Sequence, residues 1–289
     1  MNTNPIGVFD SGIGGLSVLR DLRARLPHER WLYIADSGFC PYGGRPDEFV
    51  QARAAAITDF LITQGAKAIV IACNTATAAA ASWLRERYTL PIIAMEPAIK
   101  PAAALTKSGV IGVLATAGTV KSERLLHLIE RWGAGVTVLT QPCPGLAERV
   151  ELGDLDGPEA RVLLFSYLDP LLARAADVIV LGCTHYPFLR SLLQERAGPG
   201  VTFVDSAAAV ARHTEHLLAD HDMLASPSLD TSPSGSSHTS SIWTSGDPNM
   251  VQSVVMQLDG PTPVMPLPAE AMQNPLPSNL PAGNPHNQL

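Results

Sequence analysis

Several features are missing from this chain, and each absence narrows what it can be. Charged residues make up only 16% of the 289 positions, and acids outnumber bases to a formal net charge of -7. No cluster of Lys and Arg interrupts that acidity, so neither nucleic acid nor a membrane surface is an expected partner. No early segment joins a basic start to an apolar core, so no secretory signal is read and a cytoplasmic location is expected. The apolar runs, such as Ala68 to Cys73 and Val178 to Cys183, fall far short of the roughly 20 residues that span a bilayer. The four cysteines are Cys40, Cys73, Cys143 and Cys183, and none forms a C-x-x-C pair. A zinc or thioredoxin-like site therefore has no support, and neither does a disulfide framework. No lysine stands in a strand-end motif that suits a pyridoxal Schiff base, and no phosphate-binding glycine loop stands out. The Gly12-Ile13-Gly14-Gly15 turn is too generic to assign to a nucleotide. The expectation is an activity with no cofactor and no metal.

What the chain does contain is alternation. Apolar residues reach 46% and fall in short unbroken runs, each followed by a helical pattern. Strands are expected at Ile6–Phe9, Trp31–Ala35, Ala68–Ala72 and Pro91–Met95, with helices at Leu16–Leu26, Glu48–Gln64 and Thr77–Tyr88 between them. The series then restarts, with strands at Val110–Leu114, Val136–Leu139, Val178–Leu181 and Val201–Val204. Unbroken apolar strands alternating with helices predict an α/β fold with parallel sheets, since such strands are buried on both faces.

The restart is itself informative. Ile6-Gly7-Val8-Phe9-Asp10-Ser11-Gly12 lines up with Ile111-Gly112-Val113-Leu114-Ala115-Thr116-Ala117. Ala68-Ile69-Val70-Ile71-Ala72-Cys73-Asn74-Thr75 lines up with Val178-Ile179-Val180-Leu181-Gly182-Cys183-Thr184-His185. Two matched segments in the same order at nearly equal offsets read as an internal duplication. Buried strands of any α/β protein resemble one another, but here a cysteine also follows both matched strands. The predicted organisation is a first α/β domain of residues 1–97 plus 208–258 and a second of 98–207. Ser226–Ser241, rich in Ser, Pro, Thr and Gly, reads as a flexible insertion. The proline-rich 259–289 reads as a disordered tail.

Free cysteine is most often a small buried hydrophobe, and that reading suits Cys143 and Cys40. Cys73 and Cys183 differ, because each ends a strand and precedes a helix, where ligands of open α/β sheets bind. A helix N-terminus favours thiolate, and its free N–H groups can hold a carboxylate. If the two halves face each other about a pseudo-twofold, the thiols approach one small ligand from opposite sides. One removes a proton from one face and the other returns a proton to the opposite face, which is what racemisation requires.

Four segments carry a specific likeness. They are Gly7–Leu16, Asp36-Ser37 with Pro41-Tyr42-Gly43, Ala72–Ala76, and Leu181–Pro187. Together, in this order, they resemble the glutamate racemases of the aspartate/glutamate racemase superfamily, from about Ile6 to Leu258. The resemblance implies two flavodoxin-like domains with the site between them. It implies cofactor-independent interconversion of L- and D-glutamate, with D-glutamate feeding peptidoglycan synthesis. Cys73 would handle the D-enantiomer and Cys183 the L-enantiomer, assisted by Asp10 and His185 respectively. Ser11, Tyr42, Gly43, Asn74, Thr75 and Thr184, with Asp10 and His185, would hold the substrate. Glu151, Thr116 and Thr119 are further candidates, and Asp36 is read either as a site residue or as a turn residue. Asp10 could instead cap a helix, Tyr42 could be an ordinary turn aromatic, and His185 a structural histidine. An aspartate or hydantoin racemase is the alternative within the superfamily, and a non-catalytic binding protein the alternative outside it. Homodimers also fall within what the resemblance implies.

Overall fold

The computed structural model describes residues 2–226 and 240–273. The chain begins with β1 (Ile6–Asp10), α1 (Leu16–Arg25), β2 (Trp31–Ala35), α2 (Asp47–Thr63), β3 (Ala68–Ile71), α3 (Asn74–Arg87) and β4 (Ile92–Ala94). It crosses through α4 (Ile99–Leu105) to β5 (Val110–Ala115), α5 (Ala117–Lys121), α6 (Glu123–Trp132), β6 (Thr137–Pro142), α7 (Leu146–Glu151), α8 (Pro158–Ala173), β7 (Val178–Gly182), α9 (Arg190–Ala197) and β8 (Thr202–Val204). It returns through α10 (Ala207–Asp220) to β9 (Ser240–Thr244), α11 (Pro248–Leu258), β10 (Val264–Pro266) and α12 (Ala269–Met272).

Two parallel sheets result, in the orders β10-β9-β2-β1-β3-β4 and β6-β5-β7-β8. The run β2-β1-β3-β4 has the same order as β6-β5-β7-β8. The register repeats as well: Ile6 pairs with Ala68 across β1 and β3, and Ile111 pairs with Val178 across β5 and β7. These are the residues that the two sequence repeats align, so the duplication extends from residue type to ladder pairing.

Every residue of β1, β2, β3 and β7 is buried, as helices on both faces of a parallel sheet require. One apolar cluster runs continuously between the halves, from Ile6, Val8 and Leu19 to Leu146, Leu181, Leu189 and Val255. Separate clusters close the far faces, around Phe9, Ile57 and Leu84 in the first half and Ile99, Val113 and Leu125 in the second. No helix among the described residues is long and apolar enough to cross a membrane.

The structure corrects the expected ends of the chain. Residues 259–273 are not a tail without structure. β10 pairs in parallel with β9, Val264 opposite Ile242 and Pro266 opposite Thr244, and Leu267 and Ala271 are buried against the first sheet. Proline suggested a segment without a ladder, but an edge strand leaves one row of backbone groups unpaired and tolerates it. The expected insertion also reaches too far, because Ser240 and Ser241 pair with Trp31 and Leu32 as the start of β9. The rest of both segments, 227–239 and 274–289, lies outside the described residues.

Candidate active site

The carboxyl ends of β1, β3 and β7 converge on one small cavity. Its wall is made by Ser11, Pro41, Tyr42, Gly43, Cys73, Asn74, Thr75, Thr116, Ala147, Gly182, Cys183, Thr184 and His185. Both strand-end cysteines are in that wall, one from each half. The cavity has a volume of about 10 Å³, room for roughly one water molecule.

The two cysteines are set differently. Cys73 is the N-cap of α3, and its Sγ accepts a hydrogen bond from the Ala76 N–H at 3.4 Å. It donates to Ser11 Oγ at 3.7 Å. Burial pushes the Cys73 thiol up, the Asp10 carboxylate beside it adds to the shift, and the Ala76 N–H opposes it. Cys183 was expected at a helix N-terminus too, but a 3₁₀ turn at Tyr186–Leu189 intervenes and α9 begins only at Arg190. Pro187 lacks the N–H of an ordinary helical turn. The partner of Cys183 is instead His185, whose Nδ1 lies 3.6 Å from its Sγ.

His185 is held from behind. Its Nε2 lies 2.6 Å from Glu151 Oε1, at the end of α7. Glu151 is fixed in turn by the Ile13 N–H at 2.7 Å and the Ser37 hydroxyl at 2.8 Å, both from the first half. Burial by itself would lower the pKa of His185. Hydrogen bonds with Cys183, Cys40 and Glu151 outweigh burial and raise it well above the ordinary imidazole range.

Asp10 is fully buried behind the cavity wall. It accepts from the Gly15 N–H at 2.7 Å, Thr184 Oγ1 at 3.2 Å and Ser11 Oγ at 3.4 Å. Burial raises its pKa despite the opposing charge of His185. One Asp10 oxygen holds the turn before α1 and also ties to Thr184 of the other half.

The glycine turn that looked generic has a specific steric reason. A Cβ on Gly12 would fall 2.0 Å from Glu151 Oε1, and one on Gly14 would fall 2.3 Å from His185 Nδ1. The turn carries no side chain there because the second half's His–Glu pair occupies the space. No base-binding or phosphate-binding rationale is needed.

Other expected site residues divide in two. Ser11, Gly43, Asn74, Thr75, Thr116 and Thr184 line the cavity. Thr75, Thr116 and Thr119 form a hydroxyl cluster, with Thr75 Oγ1 2.9 Å from Thr116 and 3.3 Å from Thr119, but Thr119 stands behind the wall. Asp36 opens the 3₁₀ turn at Ser37–Phe39 and is not in the cavity wall. It forms a fully buried two-pronged ion pair with Arg53, at 2.8 and 3.0 Å, and accepts the Tyr42 hydroxyl. Tyr42 thus presents its ring to the cavity with its hydroxyl committed elsewhere. Arg53, missed in the sequence, continues to the carbonyls of Met272 and Gln273 and ties α12 to this scaffold. A lone arginine inside an apolar helical pattern was the only available signal. Ala147 and α7, which bring Glu151 to His185, had none.

Asn74 stands out within the wall. It is 4% exposed, and among the described residues neither its amide nitrogen nor its carbonyl oxygen has a hydrogen-bond partner. A buried amide left open on both ends is costly unless something completes it.

The sequence pattern of the Asp/Glu/hydantoin racemase family matches residues 15–214. A glutamate racemase of Ectopseudomonas mendocina is 53% identical over 89% of this chain and 95% of its own. The glutamate racemase isoform RacE1 of Bacillus anthracis has a similar structure, with a TM-score of 0.80, 32% identity, and coverage of 93% of this chain and 99% of that one. The glutamate racemase of Francisella tularensis, solved in complex with D-glutamate, superposes with a TM-score of 0.77 at 27% identity, covering 93% of this chain and 98% of that one. With paired strand-end cysteines facing one cavity between duplicated sheets, the chain belongs to the Asp/Glu/hydantoin racemase family.

Proposed function

We propose that this chain is a glutamate racemase that moves the α-proton between Cys73 and Cys183 without a cofactor. The observation that carries this reading is the meeting of two thiols, one from each half, in the wall of one cavity beside the unpartnered amide of Asn74. The substrate α-carboxylate and ammonium supply the acceptors and donors that Asn74 lacks, with the hydroxyls of Ser11, Thr75, Thr116 and Thr184 around them. One cysteine, as thiolate, takes the α-proton, and negative charge spreads into the α-carboxylate. The polar groups held in place around that carboxylate stabilise the charge without reorganising. The opposite thiol then gives its proton to the other face, and the two cysteines exchange protonation states. His185 at 3.6 Å can take or return the Cys183 proton while Glu151 holds the ring. Asp10 and Ser11 serve the Cys73 side. Cys183 begins the reaction on L-glutamate and Cys73 on D-glutamate, and the D-glutamate serves peptidoglycan synthesis.

A cavity with room for one water cannot admit glutamate, so the two halves must part during turnover. The crossings at 95–98 and 204–207 lie side by side, with Ser206 donating to the Glu96 carbonyl. They form the hinge in this reading and divide the proposed domains at 97/98 and 207/208. Closure would then expel water around the carbanion.

The test is α-deuterium incorporation in D2O, read by NMR, with each enantiomer of glutamate and aspartate and with a 5-substituted hydantoin. Exchange and inversion with glutamate alone is the expected result. Inversion of aspartate or the hydantoin in its place would move the activity within the family. No α-exchange with any of them would end the proposal.

A further inference from the structure

Cys40 takes no part in the proposed reaction, yet it lies against the machinery. It follows the 3₁₀ turn at Ser37–Phe39 in the first half and is half-buried. Its sulfur, a carboxylate oxygen of Glu151 and a ring nitrogen of His185 all lie within 4.8 Å of one another. Nothing in the sequence suggested this cluster, because its members are far apart along the chain. A sulfur, an imidazole nitrogen and a carboxylate oxygen are the donor set of zinc and its borderline neighbours. Supporting contacts are already in place, since the Ile13 N–H and the Ser37 hydroxyl orient the Glu151 carboxylate. Cys40 and Glu151 are each partly open, which leaves an ion a way in.

We propose that Cys40, Glu151 and His185 form a binding site for a zinc-class divalent ion, and that filling it switches the enzyme off. Water completes the tetrahedron. Binding forms metal–sulfur and metal–nitrogen bonds and releases the Cys40 thiol proton and the proton of the ligating His185 nitrogen to solvent, with no change of oxidation state. The ion draws one ligand from the first half and two from the second. It therefore pins the cleft shut and stops His185 from exchanging a proton with Cys183. The inhibition rests on the racemase reading above, whereas the binding does not.

The experiment uses the full chain, stripped with a chelator and titrated with Co2+ as a coloured stand-in, then with Zn2+. One Co2+ per chain with a thiolate-to-cobalt absorption band, displaced by Zn2+, is expected. Zn2+ inhibits racemisation and EDTA restores it. Cys40→Ser keeps its activity, weakens Zn2+ at least about tenfold and escapes inhibition. In the unmodified chain, Zn2+ slows alkylation of Cys40, mapped by mass spectrometry, so the site remains testable if the variant folds poorly. Equal Zn2+ affinity and inhibition in Cys40→Ser would place the ion on Cys73 and Cys183 and overturn the proposal. So would absence of the thiolate band, or alkylation of Cys40 at an unchanged rate. A chain that binds Co2+ through Cys40 but racemises nothing would sink the activity reading and leave the site standing.

Discussion

The two halves present the same residue type at the same place and surround it in opposite ways. Cys73 caps a helix and faces an acid, Asp10, that is wholly buried. Cys183 follows an equivalent strand, but its helix starts late and an imidazole–carboxylate pair stands beside it. Duplication supplied two thiols aimed at one point. Divergence of the loops gave each its own neighbours, a backbone N–H and a buried carboxyl beside Cys73 and an imidazole beside Cys183. The asymmetry suits a substrate that is itself asymmetric about the carbon between the thiols.

The comparison can be tested most severely at the sulfurs. Cys73→Ser and Cys183→Ser should each lower racemisation roughly 10³-fold, because each removes a proton carrier. An effect confined to one of them would mean a one-thiol mechanism. The next largest effect should come from the turn between the halves. Gly14→Ala places a Cβ where His185 Nδ1 sits, and a displaced relay should cost on the order of 10²-fold in kcat. Wild-type activity in Gly14→Ala would show that His185 has no role beside Cys183.

A subtler prediction follows from thermodynamics. Enantiomers have equal free energy, so kcat/KM must fall equally in both directions in any variant. His185→Gln should nevertheless lower kcat more from L-glutamate, and Asp10→Asn more from D-glutamate, roughly 10-fold apart. Progress curves from each enantiomer measure this split. Identical splits in the two variants would erase the division of labour between the half-sites.

Effects on stability rather than on turnover lie at the opposite strand ends, where the repeat aligns Lys67 with Asp177. Lys67 is buried with Glu29 at 2.6 Å, both side chains 2% exposed. Lys67→Ala should cost about 3–5 kcal/mol by stranding that carboxylate. Asp177 is different. Desolvation opposes its charge, but the Thr106 hydroxyl and the Lys107 and Ser108 N–H groups outweigh this and hold its carboxyl at about 2, below the ordinary 3.8. A depressed carboxyl stabilises the fold above the ordinary range and loses that contribution as pH falls toward 2. Asp177→Asn should therefore cost under about 1 kcal/mol at neutral pH, screened by solvent. The gap from the unmodified chain should close as urea midpoints are followed down from about pH 4. A gap that persists at low pH would assign the loss to something other than charge.

Much of the fold was legible because buried parallel strands are written as unbroken apolar runs. The repeat alone matches Ile6 with Ile111 and Ala68 with Val178. The proline-bearing β10 was illegible for the converse reason, since a short edge strand needs little apolar content and tolerates a missing N–H. Asp36 was read as either site or turn because its partner, Arg53, lies in α2 and no local pattern joins them.

Two strand-end cysteines in a duplicated α/β frame are legible in the linear chain, because local periodicity and repetition are written there. The groups that surround each cysteine come from packing. Glu151 reaches His185 across the space left by Gly12 and Gly14, Asn74 is left unpartnered in a sealed wall, and Cys40 comes within a ligand's reach of both His185 and Glu151. Such contacts depend on distance in space between residues remote in the chain, and distance in space exists only once both sheets have packed.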